Sequence, residues 1–246
     1  MRRLFLLALP LALTAADKTP TPYLAGAKVP DLVRILPPPP VTGDARNQDD
    51  RATFTDTRKL AGSPRWKMAT SDVTDDRYTV YACAMGMKLD AAKAPALARV
   101  FARLGDGGMV GRAKARFAVR RPYLNQPGDI CEAKTDHLAN NGDYPSGHTS
   151  NGWLTALILA ELLPDRATEI LQRGREYGES RYLCGSHSRS AVEAGYMSGA
   201  VIASRLHASA DFRADMDAAR AELARLAKDT APVAGCAANK QNDGPA

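Results

Sequence analysis

Apolar residues recur every three or four positions through the middle of this chain, the spacing of one buried helix face. In DAAKAPALARVFARLGDGG, Leu97, Val100, Phe101 and Leu104 share a face, with Asp90 as the expected cap and Gly105 as the expected stop. Ile170, Leu171 and Tyr177 fall at helical intervals in the stretch after Pro164. Phe212, Met216, Leu223 and Leu226 form a stripe with charges around it. AVEAGYMSGAVIASRLHAS is small and apolar, suited to close helix packing. Trp153 to Leu163 is the most apolar run after the first residues, and it is interrupted by Thr155 and Glu161. Alternating β-branched runs are short and alanine is abundant, so strand signals are scarce. The pattern predicts an all-α chain, a single helical domain over 51–229, with no internal repeat.

The ends break this pattern. Residues 1–16 carry Arg2 and Arg3, a short apolar run and small residues at Thr14, Ala15 and Ala16, the form of a secretory signal peptide. Segment 17–50 contains ILPPPPVTGD and is expected as an extended, Pro-rich arm. Segment 230–246 is expected as a tail, with Cys236 as a candidate anchor.

With 246 residues the chain is long enough for one substantial core. No apolar run after the leader is long enough to span a bilayer, so the expectation is a periplasmic or secreted protein without stable membrane insertion. The formal charge of +6 comes without long Lys/Arg blocks and with only 6% aromatics, which gives no argument for nucleic acid. A modest positive field favours small anionic substrates. Four cysteines in an oxidising compartment allow two disulfides in three pairings. Cys131–Cys184 is favoured because these two flank the chemistry-bearing stretches.

Three stretches carry candidate chemistry. KARFAVRRP offers Lys114 and Arg121 beside the break at Pro122. PSGH places Ser146, Gly147 and His148 at the start of an apolar helix, where free N–H groups and the helix dipole favour an anion. GESRYLCGSHSRSAVEAG places Arg181 near one helix end and His187 just before the next helix. Together they supply what phosphoryl transfer needs: cations and neutral donors around the phosphate oxygens, and two histidines to divide the proton and nucleophile work. Opposed roles require opposed protonation states, and a mildly acidic working pH suits an imidazolium acid. Asp136, His137, Asp143 and His148 lack the spacing of a strong metal motif, so no metal is expected. His137 reads as a surface loop residue. Tyr123 and Tyr144 adjoin the motifs and are candidates for the leaving-group pocket.

The ordered set, Lys-x6-Arg-Pro, then Pro-Ser-Gly-His, then Ser-Arg-x5-His, resembles the signature of the phosphatidic-acid-phosphatase type 2 and vanadium haloperoxidase superfamily. LPPPP, TRKLAGSPRWKMATSD and YGESRYLCGSH are similar to stretches of the bacterial class A non-specific acid phosphatases, and the likeness runs over about 35–225. The resemblance implies a helical-bundle acid phosphatase acting on small phosphomonoesters through a phosphohistidine, without a cofactor, and it allows a homo-oligomer. It implies His187 as nucleophile, His148 as general acid, and Lys114, Arg121, Ser146, Gly147 and Arg181 as phosphate ligands. It departs at Ala191, where the family pattern has an aspartate that orients the nucleophile. Glu193 is the nearest carboxylate along the chain, but Ser190 and Glu193 read as a capping box at a helix start. Ser188, Ser190, a backbone carbonyl or water remain as alternatives, and the expectation is an active phosphatase slowed at this position. The rival readings are a vanadium-dependent haloperoxidase, disfavoured by the small domain and the flanking stretches, and a phosphate-binding protein with a decayed site.

Overall fold

The computed structural model describes residues 20–229 together with Val233 and Cys236. The expected leader and most of the expected tail lie outside the described residues. The described chain is all-α: α1 (Leu32–Ile35), α2 (Ala45–Arg58), α3 (Pro64–Ser71), α4 (Arg77–Met85), α5 (Pro95–Arg103), α6 (Met109–Phe117), α7 (Asp136–Asn140), α8 (Gly147–Leu162), α9 (Ala167–Cys184), α10 (Arg189–Leu206) and α11 (Ala210–Asp229). Short 3-10 turns at Pro122–Leu124 and Pro164–Arg166 join α6 to the loop before α7 and α8 to α9.

The centre is α8, with α9 and α10 packed along it. Apart from His148 and Glu161 its polar residues are short, and it buries Leu154, Ala156, Ile158 and Leu159 on several faces. A helix that is apolar nearly all round belongs inside. Small residues bring α10 close to it. A Cβ added at Gly195 would lie 2.7 Å from Thr149 Cβ and 2.9 Å from the Ser146 carbonyl oxygen. One turn on, a Cβ at Gly199 would lie 2.7 Å from the Ser150 oxygen. Gly195→Ala is therefore expected to cost about 1–3 kcal/mol by overpacking. Denaturant unfolding checks the cost, and an unchanged midpoint would contradict it.

The outer helices close on this centre. Leu97, Val100 and Phe101 on α5 are buried as their spacing predicts, and α11 packs against α5 through Phe212, Met216 and Leu223. The expected cap at Asp90 is not the helix cap. Asp90 accepts from Ala92 and Lys93 in the preceding turn, whereas α5 starts at Pro95 and the Glu222 carboxylate of α11 accepts from the Ala96 and Leu97 N–H groups. A cap supplied from a distant helix leaves no local signature. Around Arg58, side chains tie α2 to the end of α9: its guanidinium donates to the Cys184 and Leu183 carbonyls at 2.8 and 2.5 Å and lies over the Phe54 and Trp66 rings.

The N-terminal segment differs from expectation. It buries Tyr23, Leu24, Leu32 and Leu36 in the main core, and α2 begins at Ala45, inside the segment expected to be extended. The Pro-rich stretch between α1 and α2 stays non-helical, and it is anchored by the Tyr144 hydroxyl on the Pro37 carbonyl at 2.7 Å and by Arg46 on the Pro38 carbonyl at 3.0 Å. Both disulfides form, Cys131–Cys184 and Cys83–Cys236, so Cys236 does anchor the chain beyond α11. Among the described residues no helix is long and apolar enough to cross a membrane.

Candidate active site

All three motif stretches meet at one cavity of about 590 Å³, lined by Lys114, Arg121, Gly147, His148, Arg181 and His187. Lys114 comes from the last turn of α6 and Arg121 from the extended residue before Pro122. Gly147 and His148 open α8, Arg181 sits in the last turn of α9, and His187 lies in the short link to α10.

The cations are fixed by backbone carbonyls and by the side chains of Asn141 and Glu132. Arg121 is buried and donates from Nε to the Asn141 carbonyl at 2.8 Å and from Nη1 to the Ser186 carbonyl at 2.7 Å. Lys114 Nζ donates to the Gly142 carbonyl at 2.5 Å and the Asn141 side chain at 3.0 Å. Burial, and next the charge of Arg121, bring Lys114 down to about 8. Arg181 donates from Nη2 to Glu132 at 2.5 Å. Its Nε and Nη1 are buried without a protein partner. Donors in that state are ready for an anion, since leaving them unmet costs free energy. Glu132 also accepts from the Ser186 hydroxyl. The neighbouring disulfide, Cys131–Cys184, ties the Glu132 loop to the end of α9.

The two histidines differ in surroundings. His187 is buried, and its Nδ1 lies 2.9 Å from Asp143 Oδ1. The Ser188 N–H donates to the same oxygen at 3.1 Å and the Ser188 hydroxyl to Asp143 Oδ2 at 2.6 Å. Burial raises Asp143 to about 6, opposed by the Ser188 hydrogen bonds. Burial first, then the charges of Arg121, Lys114 and Arg181, hold His187 well below the usual histidine range. With three donors converging on Asp143, the pair is best written as a carboxylate and a neutral imidazole protonated at Nδ1, which leaves Nε2 with its lone pair free.

His148 is held differently. Its ring stacks on Tyr177 at 4.3 Å between centroids, and Nδ1 lies 3.4 Å from Asp75 Oδ1. Tyr177 is itself pinned by its hydroxyl on the Thr74 carbonyl at 2.7 Å. Burial lowers His148 and Asp75 opposes that shift. Its Nε2 is buried and has no protein partner.

Not every candidate stands where the sequence suggests. Ser146 does cap α8, accepting from the Thr149 N–H at 3.3 Å, but its own N–H is taken by the Ala191 carbonyl at 2.9 Å. That N–H is therefore not a phosphate donor; the hydroxyl keeps its hydrogen, since it accepts from the Thr149 hydroxyl at 2.9 Å. Tyr144 turns away to Pro37 and packs edge-on against Phe117, and neither it nor Tyr123 lines the cavity. His137 is exposed at the cavity rim. The cap of α10 is Ser188, on the Ala191 N–H at 3.2 Å, in place of the expected Ser190 box. Ser190 instead donates to Asp50 through its N–H and hydroxyl, and Glu193 pairs with Arg189 on the surface. The carboxylate on His187 is Asp143, which no motif in the sequence marks for that role.

A family model, the PAP2 superfamily, matches residues 95–214, which span every one of these cavity motifs. An acid phosphatase of Zymomonas mobilis subsp. mobilis is 45% identical over 199 residues, covering 78% of this chain and 75% of the relative. A non-specific acid phosphatase of Salmonella typhimurium is 32% identical over 89% of this chain and 90% of the relative. One of Providencia stuartii is 32% identical over 84% and 86%. The chain belongs to the PAP2 superfamily, among its acid phosphatases. Its all-α fold and the convergence of the three PAP2 motif stretches on one cavity agree with that membership.

Proposed function

We propose that this PAP2 protein is an exported phosphomonoesterase that works in two displacements through a phosphohistidine at His187. The observation that carries the reading is an Asp143-bonded imidazole sharing one cation-lined cavity with a second histidine. The substrate phosphate sits among Lys114, Arg121 and Arg181, with the Gly147 N–H and Ser146 hydroxyl as neutral donors. His187 Nε2 attacks phosphorus as the ester P–O bond breaks. His148, as imidazolium, delivers its Nε2 proton to the leaving alkoxide. Neutral His148 then takes a proton from water, the resulting hydroxide attacks the phosphohistidine, and phosphate leaves with His187 regenerated. Export rests on the leader-like start and on two disulfides, which persist in oxidising compartments.

The reading is tested by assaying aryl, sugar and nucleotide phosphates from pH 4 to 8, with vanadate as inhibitor and halide oxidation as a control. Hydrolysis of several esters is expected, without halide oxidation. Tight phosphate binding with no turnover would contradict it.

A pH limb follows from Lys114. Its folded value of about 8 lies below the usual lysine range, so the ammonium is present below that pH and lost above it. His148, held below the usual histidine range, loses its proton first, so kcat/KM, which reports the free enzyme, falls there and is expected to fall more steeply as pH rises through about 8. Lys114→Arg stays charged and is expected to remove that limb. A wild-type profile whose slope does not steepen above about pH 8, or one that Lys114→Arg leaves unchanged, would contradict the assignment.

A further inference from the structure

We infer that Asp143 is the positioning residue of the nucleophile and that it and position 191 are two alternative seats for a single carboxylate. The inference rests on the phosphohistidine reading and deepens it. The geometry begins with Asp143, which is buried, accepts from His187 Nδ1 and from both donors of Ser188, and has its own N–H on the Val119 carbonyl at 2.8 Å. It lies just before PSGH, so the loop that opens α8 also sets the imidazole at the head of α10.

Position 191 belongs to the same small network. The Ala191 N–H donates to Ser188 Oγ at 3.2 Å, and Ser188 Oγ donates to Asp143 Oδ2 at 2.6 Å. Ala191 is the third residue of α10, after the Ser188 cap. Side chains in a first turn lean back toward the helix N-terminus, and a carboxylate at this position reaches the cap region. His187 immediately precedes that cap. A carboxylate at 191 thus has a short path to the same ring nitrogen. Ala191 is wholly buried, so a carboxylate placed there would stand out of water beside the buried Asp143. Two carboxylates on one buried imidazole would repel, and one of them would take up a proton. Chain positions 143 and 191 therefore exclude one another: one bears the carboxylate and the other stays small or neutral.

Four variants test this: D143N, A191D, D143S and the exchange D143S/A191D. The amide of D143N is isosteric with the carboxylate but lets the imidazole take the wrong tautomer, so kcat is expected to fall between about 10-fold and 10⁴-fold. KM and the affinity for inorganic phosphate should stay within about threefold, since the cage is untouched. A191D alone is expected to lose activity. D143S/A191D is expected to regain at least about tenfold over D143S, the lower range of such a supporting contact. Near-wild-type kcat in D143N, a loss confined to KM, or a rate gain in A191D alone would overturn the inference. Should D143N not fold, the exchange decides: activity above D143S supports the inference, and a folded inactive protein overturns it. An active D143N beside an inactive His187→Ala would sink only this inference, whereas an active His187→Ala would sink the phosphohistidine reading itself.

Discussion

Replacing His187 by alanine is expected to lower kcat by about 10⁶, the scale on which loss of a nucleophile or its partner acts in a hydrolase built as a unit. The residue has no substitute. Nε2 is the lone pair held toward the cavity by the Asp143 contact on the other ring nitrogen, and His148 lacks a comparable buried carboxylate. The cage should survive the change: Lys114, Arg121 and Arg181 are held by Gly142, Asn141, Ser186 and Glu132, none of which depends on the His187 ring. Phosphate affinity, read by calorimetry, is therefore expected to persist within about tenfold while turnover of an aryl phosphate disappears.

The second large effect belongs to His148, and it depends on the leaving group. In His148→Asn the first displacement loses its acid, a contribution of about 10²–10⁴. Alkyl phosphates, whose alkoxides leave poorly without a proton, should bear that full loss. Phosphates of acidic phenols leave as stable anions and should lose much less in the first step. The second displacement still needs His148 to accept a proton from water, so the phosphoenzyme should build up on the phenyl ester, seen as a burst of phenol followed by slow turnover. Equal losses for both ester classes, without a burst, would remove His148 from the acid role. Asp75 holds this ring from its other edge and Tyr177 from its face, and neither hydrogen-bonds to Nε2.

Much of the fold was legible because 3.6-residue spacing survives in this chain. Leu97, Val100 and Phe101 on α5, and Phe212, Met216 and Leu223 on α11, are buried where the pattern puts them. What failed were assignments made from neighbours in sequence for contacts made across space. Asp90 looked like a cap, yet α5 is capped by Glu222 from α11. Ser190 and Glu193 looked like a box, yet Ser190 serves Asp50 on α2 and Ser188 is the cap. The Pro-rich segment looked extended, yet Tyr23, Leu24, Leu32 and Leu36 are apolar enough to join the core.

The site shows the same division. Its cations and histidines stand in ordered motifs and could be named from the sequence. Asp143 could not, because nothing in GDYPSGH marks that aspartate as the partner of a histidine 44 residues further on. The one available signal was indirect: Ala191 leaves a buried imidazole without a carboxylate, and Asp143 is the acid nearest in sequence to the other motif of the cavity. The Ser146 N–H misleads for the opposite reason. A helix-start N–H reads as free in sequence, and here the close approach of α10, permitted by Gly195, brings the Ala191 carbonyl onto it.

The central claim is a covalent phosphoryl group on His187, and quenching the working enzyme tests it most directly. Protein mixed with a ³²P-labelled aryl phosphate is stopped in alkali within milliseconds and digested. The account predicts acid-labile, alkali-stable label on the peptide carrying His187, increased in His148→Asn and absent in His187→Ala. Steady hydrolysis with no protein-bound label in either protein that retains His187, or label that persists in His187→Ala, would contradict it.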